Sequence, residues 1–158
     1  MRCEIAVDID TCPDHVWAVL TDVTRWPRWT TAVRDATLVG GGVLTLGGVV
    51  RLRAPRLPER VWRVSELHPR RRRITLSDEG LGARASVRFA LTTPEGDGAR
   101  TRVTVVHERA GWVGATVAWV TARTVEAHLQ TLAGDLKKHC ETRRRAREAA
   151  GNAATTVS

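Results

Sequence analysis

Apolar and polar residues alternate strictly at the start of the chain: Cys3, Ile5, Val7 and Ile9 fall on one side, Glu4 and Asp8 on the other. That is the period of a strand buried on one face. Thr11 and Asp14 then flank Pro13, a helix-start signal, and Val16, Trp17, Val19 and Leu20 form an apolar stripe that ends near Asp22. A second short helix is expected at Thr24–Trp29, limited by Pro27 and anchored by Trp26 and Trp29.

From residue 31 to residue 110 the pattern breaks into short strand-like runs. They are separated by turn chemistry at Gly40-Gly41-Gly42, Pro55 to Pro58, His68-Pro69, Gly80 to Gly82 and Pro94 to Gly98. The expected strands are 33–39, 43–53, 59–67, 72–78, 83–93 and 100–109, an antiparallel meander. The clearest is the run in which Ala85, Val87, Phe89 and Leu91 alternate with Ser86, Arg88, Ala90 and Thr92. Past Gly111 the period becomes helical, from about Val113 to Ala149, with Val117, Val125, Leu129, Leu132, Leu136 and Cys140 recurring on one stripe. The small-residue stretch Gly151–Ser158 is expected to be a disordered tail.

Length then limits the picture to one domain, residues 1–150, because 158 residues, 42% of them hydrophobic, suffice for one core. No run approaches the roughly 18 apolar residues of a membrane span, and the alternating start contains no signal-like apolar region, so a cytoplasmic protein without membrane insertion is expected. Cys3, Cys12 and Cys140 show no metal or C-x-x-C spacing and read as reduced packing residues. The charge of +8 raises the question of nucleic acid. Only Lys137 and Lys138 are lysines, the arginines are scattered apart from Arg70–Arg73 and Arg143–Arg147, and no groove-reading motif is present. The charge therefore implies a weak, salt-sensitive affinity for polyanions and no specific nucleic acid.

Several stretches resemble the SRPBCC superfamily, which includes START, Bet v 1 and polyketide cyclase/dehydrase proteins. They are Ile5-Ala6-Val7-Asp8-Ile9 with Pro13-Asp14-His15-Val16-Trp17, Asp22 with Trp26-Pro27-Arg28-Trp29, and Arg51 to Pro58 leading to Val61-Trp62-Arg63-Val64-Ser65-Glu66-Leu67. Thr101-Arg102-Val103-Thr104-Val105 and Leu136-Lys137-Lys138 complete the set. The resemblance covers nearly the whole chain. It implies an α+β helix-grip fold: a curved antiparallel sheet of about seven strands, two short helices, and a long C-terminal helix over a cavity. With six tryptophans, one phenylalanine and no tyrosine, the chain has few bulky groups to fill such an interior.

The resemblance to the aromatase/cyclase branch also implies that Trp62 faces the cavity. By the period of two, Val64, Glu66 and His68 then share its face, and Arg63 and Ser65 face solvent. On the last strand Val103, Val105, His107 and Arg109 face inward. A slip of one residue would exchange these faces. Glu66 and His107 become the candidate acid and base, with Arg109 or Arg53 to hold a developing oxyanion. Trp62, Val64, Arg53, Phe89, Val105 and Trp29 are the candidate ligand contacts. The function expected is that of a cofactor-independent cyclase, aromatase or dehydratase acting on a small hydrophobic, polyketide-like molecule. A non-catalytic carrier or sensor of such a molecule is the alternative, with an acyl carrier protein as a conceivable partner and the oligomeric state open. No metal is expected: no H-E-x-x-H or P-loop occurs, and His128 and His139 stand about three helical turns apart.

Overall fold

The computed structural model describes residues 1–80, 83–111 and 115–156. The alternating start of the chain forms strand β1 (Arg2–Ile9), whose Cys3, Ile5, Val7 and Ile9 turn toward the core. It pairs antiparallel with the last strand, β7 (Thr101–Gly111), placing Cys3 opposite His107 and Ile5 opposite Val105. Between them in sequence come β2 (Asp35–Leu38), β3 (Val49–Arg53), β4 (Arg60–His68), β5 (Arg73–Gly80) and β6 (Ala83–Thr92). The sheet order is β1-β7-β6-β5-β4-β3-β2, so the first strand to leave the meander closes against the last one to join it. Two short helices, α1 (Pro13–Thr21) and α2 (Trp26–Trp29), are joined by the single 3-10 turn Val23–Arg25, and helix α3 (Ala115–Thr155) ends the chain.

The core lies between the inner face of the sheet and one stripe of α3. Leu129, Leu132, Leu136 and Cys140 supply that stripe, against Ile9, Ile74, Leu76, Phe89, Val103 and Val105. Polar ties fix the helix in place. Thr30 Oγ1 donates to Asp135 Oδ2 at 2.8 Å, which locks the end of α2 to α3. Lys137 Nζ donates to the Asp8 carbonyl at 2.7 Å, and Arg144 reaches Asp10 at 2.7 Å. Trp26 is buried, edge-on to Phe89 at 5.7 Å, and its Nε1 donates to the Leu20 carbonyl at 3.0 Å.

Two boundaries and one register differ from expectation. Strand β3 begins at Val49 and not at 43, because Gly40, Gly41, Gly42 and Gly47 all adopt positive φ and turn the preceding segment into a loop that exposes Val43 and Leu46. Helix α3 continues through Thr155, so residues 151–155 extend the helix where a tail was expected. Ala149, Ala150, Ala153 and Ala154 are strong helix formers that outweigh Gly151. The expected helix start at Val113 lies outside the described residues, as do Val157 and Ser158. The third difference is a bulge in β4: Val64 faces Leu76 and Glu66 faces Thr75, which leaves Ser65 without a partner in the ladder.

Candidate functional site

The inner face of the sheet can be followed across the strands by its register. One row runs Leu76, Val87, His107, Cys3 and the next runs Asp78, Ala85, Arg109. From these rows Leu76, Val87, Ala85, His107 and Arg109, together with Trp62 and Arg60 of β4, wall two adjoining cavities beneath α3. The deeper one, about 100 Å³, is almost wholly apolar: Trp26, Ala32, Leu76, Val87 and Phe89 face Leu129 and Leu132, with His128 at its edge. The outer one, about 160 Å³, is bounded by Ala54, Leu57 and Pro58 of the β3–β4 loop, by Thr121 and Val125 of α3, and by Arg60, Ala85, His107 and Arg109. Val33, Leu52 and Trp62 line both.

His107 is the central polar group of the outer cavity. It is 5% exposed, and its Nδ1 is enclosed without a hydrogen-bond partner among the described residues. Burial holds the imidazole below its ordinary value of 6.5, and Arg109, the N-terminal ammonium and Arg60 press in the same direction. The ring is therefore neutral near pH 7, with a nitrogen free to accept or donate one hydrogen bond. Arg109, from the same strand, lines the cavity two residues on, and its carbonyl and amide are clamped to Met1 at 2.9 and 2.8 Å.

Behind them lies an ion pair that the sequence reading missed. Arg60 Nη1 meets Asp78 Oδ2 at 2.5 Å, and Asp78 is largely buried. The period of two would have found both residues: Arg60 is two positions before Trp62, and Asp78 is two after Leu76. His128, considered in the sequence only as a metal ligand, lines the smaller cavity. Its Nδ1 lies 2.6 Å from the Thr124 carbonyl, which can only accept, so Nδ1 carries the proton.

Of the candidate ligand contacts, Trp62 lines both cavities and Phe89 the deeper one. Val64 and Val105 face inward but are packed in the core, 1% exposed each. Four expectations of placement are corrected, those for Glu66, His68, Arg53 and Trp29, and His68 goes with Glu66. Glu66 does not share the face of Trp62: the bulge at Ser65 reverses the alternation, so Leu67 faces the core and Glu66 the opposite side of the sheet. There Thr75 Oγ1 donates to it at 2.7 Å, with His68 Nε2 3.3 Å away. This hydrogen bond, and then Arg73, Arg88 and His68, hold its carboxyl below the ordinary carboxylate range. Arg53 is exposed at the end of β3, one residue out of phase with the inward Val50 and Leu52. Trp29 lines neither cavity and instead stacks on His139 at 5.9 Å in a groove on the outside.

Among the described residues no group of three or more His, Cys, Asp or Glu side chains is placed to hold a metal ion, and no helix is long and apolar enough to cross a membrane. Cys3, Cys12 and Cys140 are unbridged, and burial pushes the Cys140 thiol up to about 11.

The fold has many solved counterparts. A START superfamily protein from Mycobacterium smegmatis superimposes with a TM-score of 0.71 at 13% identity, covering 89% of this chain and 97% of that one. The Zhui aromatase/cyclase from Streptomyces sp. R1128 gives 0.65 at 20% identity, over 87% and 94%. Major latex-like protein 151 from Panax ginseng gives 0.69 at 13% identity, over 89% and 97%. A comparison with curated protein sequences finds no significant match. At these identities the likenesses establish the helix-grip fold. The sequence itself, over residues 2–141, matches the family described as polyketide cyclase / dehydrase and lipid transport, and the chain belongs to that family, within the SRPBCC superfamily.

Proposed function

We propose that the two cavities bind one small, mostly hydrophobic, polyketide-like molecule and that His107 transfers a proton to and from it, closing a ring and eliminating water without a cofactor. The observation that carries this reading is the enclosed Nδ1 of a neutral His107 in the cavity wall, unpartnered among the described residues. Buried side-chain nitrogens are in the large majority hydrogen-bonded, and a ligand in the cavity would supply what this one lacks. The similarity to an aromatase/cyclase and the family description support the same class of chemistry.

In this reading the apolar end of the ligand occupies the deep chamber against Trp26, Trp62 and Phe89, which presents its carbonyl-bearing end to the outer one. The imidazole of His107 takes a proton from a carbon between two carbonyls. The enolate oxygen so formed is held by the guanidinium of Arg109 or Arg60, both at the same wall. The enolate carbon attacks a second carbonyl of the same molecule, and the imidazolium protonates the alkoxide so formed; the neutral ring then removes the second proton of the same carbon and delivers it to the hydroxyl, which departs as water as the carbon–carbon double bond forms. Glu66, on the other face, takes no part.

The carrier reading has its own support in the deep chamber, whose apolar lining needs only His128 to orient a guest. Native mass spectrometry on protein from its host, followed by extraction, separates the two. A compound released in altered form by the wild type but unaltered by His107→Gln supports catalysis. A compound released unaltered by both supports a carrier.

A further inference from the structure

We infer that the groove on the outside of the protein, between α1–α2 and the distal half of α3, is a second binding site, and that it takes a small phosphorylated anion. The groove encloses about 340 Å³ and is separate from the two interior cavities. Arg25 and Arg28 stand on one bank, while His139, Arg143 and Arg147 recur every fourth residue along the α3 bank. Trp29 and His139 stack on one another across it.

Arginines without a carboxylate within ion-pair distance among the described residues also occur outside the groove, Arg34, Arg51 and Arg63 among them, and what sets the groove apart is that its unpaired guanidiniums share one concavity beside turns whose other arginines are paired. Arg60 is paired with Asp78, Arg72 with Asp14 and Arg102 with Asp8, and Arg144 is paired twice, with Asp10 and Glu148. Its neighbours Arg143 and Arg147, on the groove side of the same helix turns, have no carboxylate within ion-pair distance among the described residues, and neither has Arg28. The one acid of the groove, Asp22, is already engaged by Arg25 at 3.3 Å and by Thr24 Oγ1 at 3.2 Å. Cationic rows that share a concave groove repel one another unless an anion lies between them. Guanidinium forks match the paired oxygens of phosphate and carboxylate alike, the number of cations converging here favours the more highly charged phosphate, and the enclosed volume suits a small molecule and not an extended strand. This site does not depend on the reading given for the interior.

Inorganic pyrophosphate is the probe, titrated calorimetrically into the whole protein at low and at physiological salt. One saturable site is expected, about tenfold weaker for each guanidinium removed in Arg28→Ala and Arg143→Ala. His107→Gln should bind it unchanged. The absence of saturable binding would overturn the proposal. So would equal affinity in the arginine variants, loss of affinity in His107→Gln, or tighter binding of a single-stranded oligonucleotide that the two arginine substitutions leave untouched. Thermal melting without ligand gives a second readout. Arg143→Ala should melt no lower than the wild type, because it relieves repulsion, and a marked drop would assign that arginine a structural role instead.

Discussion

At the scale of single residues, burial decides what His107 can do and how the protein responds to acid. Its folded-state affinity for a proton is lowered by enclosure and by nearby cations, so below pH 6.5 the unfolded chain binds more protons than the folded one. The stability associated with the neutral ring is fully present above pH 6.5 and is lost as the pH falls from there toward the depressed folded value. Urea midpoints at about pH 7.5 and about pH 5.5 should therefore lie farther apart in the wild type than in His107→Gln. His139, also held low by burial and by Arg143, remains in both proteins and sets the residual slope. Parallel slopes would show a solvated imidazole. In the proposed reaction the same substitution lowers turnover by about 10²–10⁴-fold. Glu66→Gln should leave turnover unchanged and alter stability by at most about 1 kcal/mol, because its charged partners sit at the surface of the opposite face. Here the sequence was legible only in part. The period of two on β7 places His107 and Arg109 on the inner face, as they are found, while the same rule on β4 fails one residue after Val64.

The failure belongs to the scale of elements, because a bulge inserts one residue without changing the chemistry of its neighbours. Val64, Ser65 and Glu66 read as an ordinary alternating strand, and only the pairing with β5 reveals the extra residue. An expected outcome follows. Deleting Ser65 should keep every ladder partner in place, with Val64 still opposite Leu76 and Glu66 opposite Thr75, and should give a folded, cooperatively melting protein. The loss should be on the order of 1 kcal/mol, from the contacts of Ser65 Oγ with Ser77 Oγ at 2.7 Å and with the Thr75 carbonyl at 3.3 Å. Deleting Val64 instead would shift Trp62 off the inner face, and that variant should fail to fold. On α3 the helical period was read correctly through Leu129, Leu132, Leu136 and Cys140, since each deviation from that stripe would bury a charge. Leu136→Ala, at a position 1% exposed, should destabilise by about 2–5 kcal/mol in chemical denaturation.

At the scale of the molecule, the order strand, short helices, meander and long helix was visible because each boundary is marked by glycine, proline or a change of period. Which voids the packing leaves was not visible, since a void is a property of side chains brought together from β3 to β7 and from α2 to α3. The deep chamber of about 100 Å³ forgoes dispersion contacts that a well-filled core would make, which is expected of a space kept for a guest. Ala32 tests this directly. It is buried in the chamber wall three residues past α2, and its backbone amide already has a partner in Thr30 Oγ1 at 3.1 Å. Ala32→Leu therefore adds only apolar volume. In the ligand-free protein it should raise stability by about 0.5–2 kcal/mol in a denaturant titration, and it should weaken retention of the hydrophobic compound in the native mass spectrum. A gain in stability with retention unchanged would place the guest in the outer chamber alone. A loss of stability would mean that the space is smaller than its walls suggest and that the added branches collide with Trp62 or Leu129, with which Ala32 shares the chamber wall.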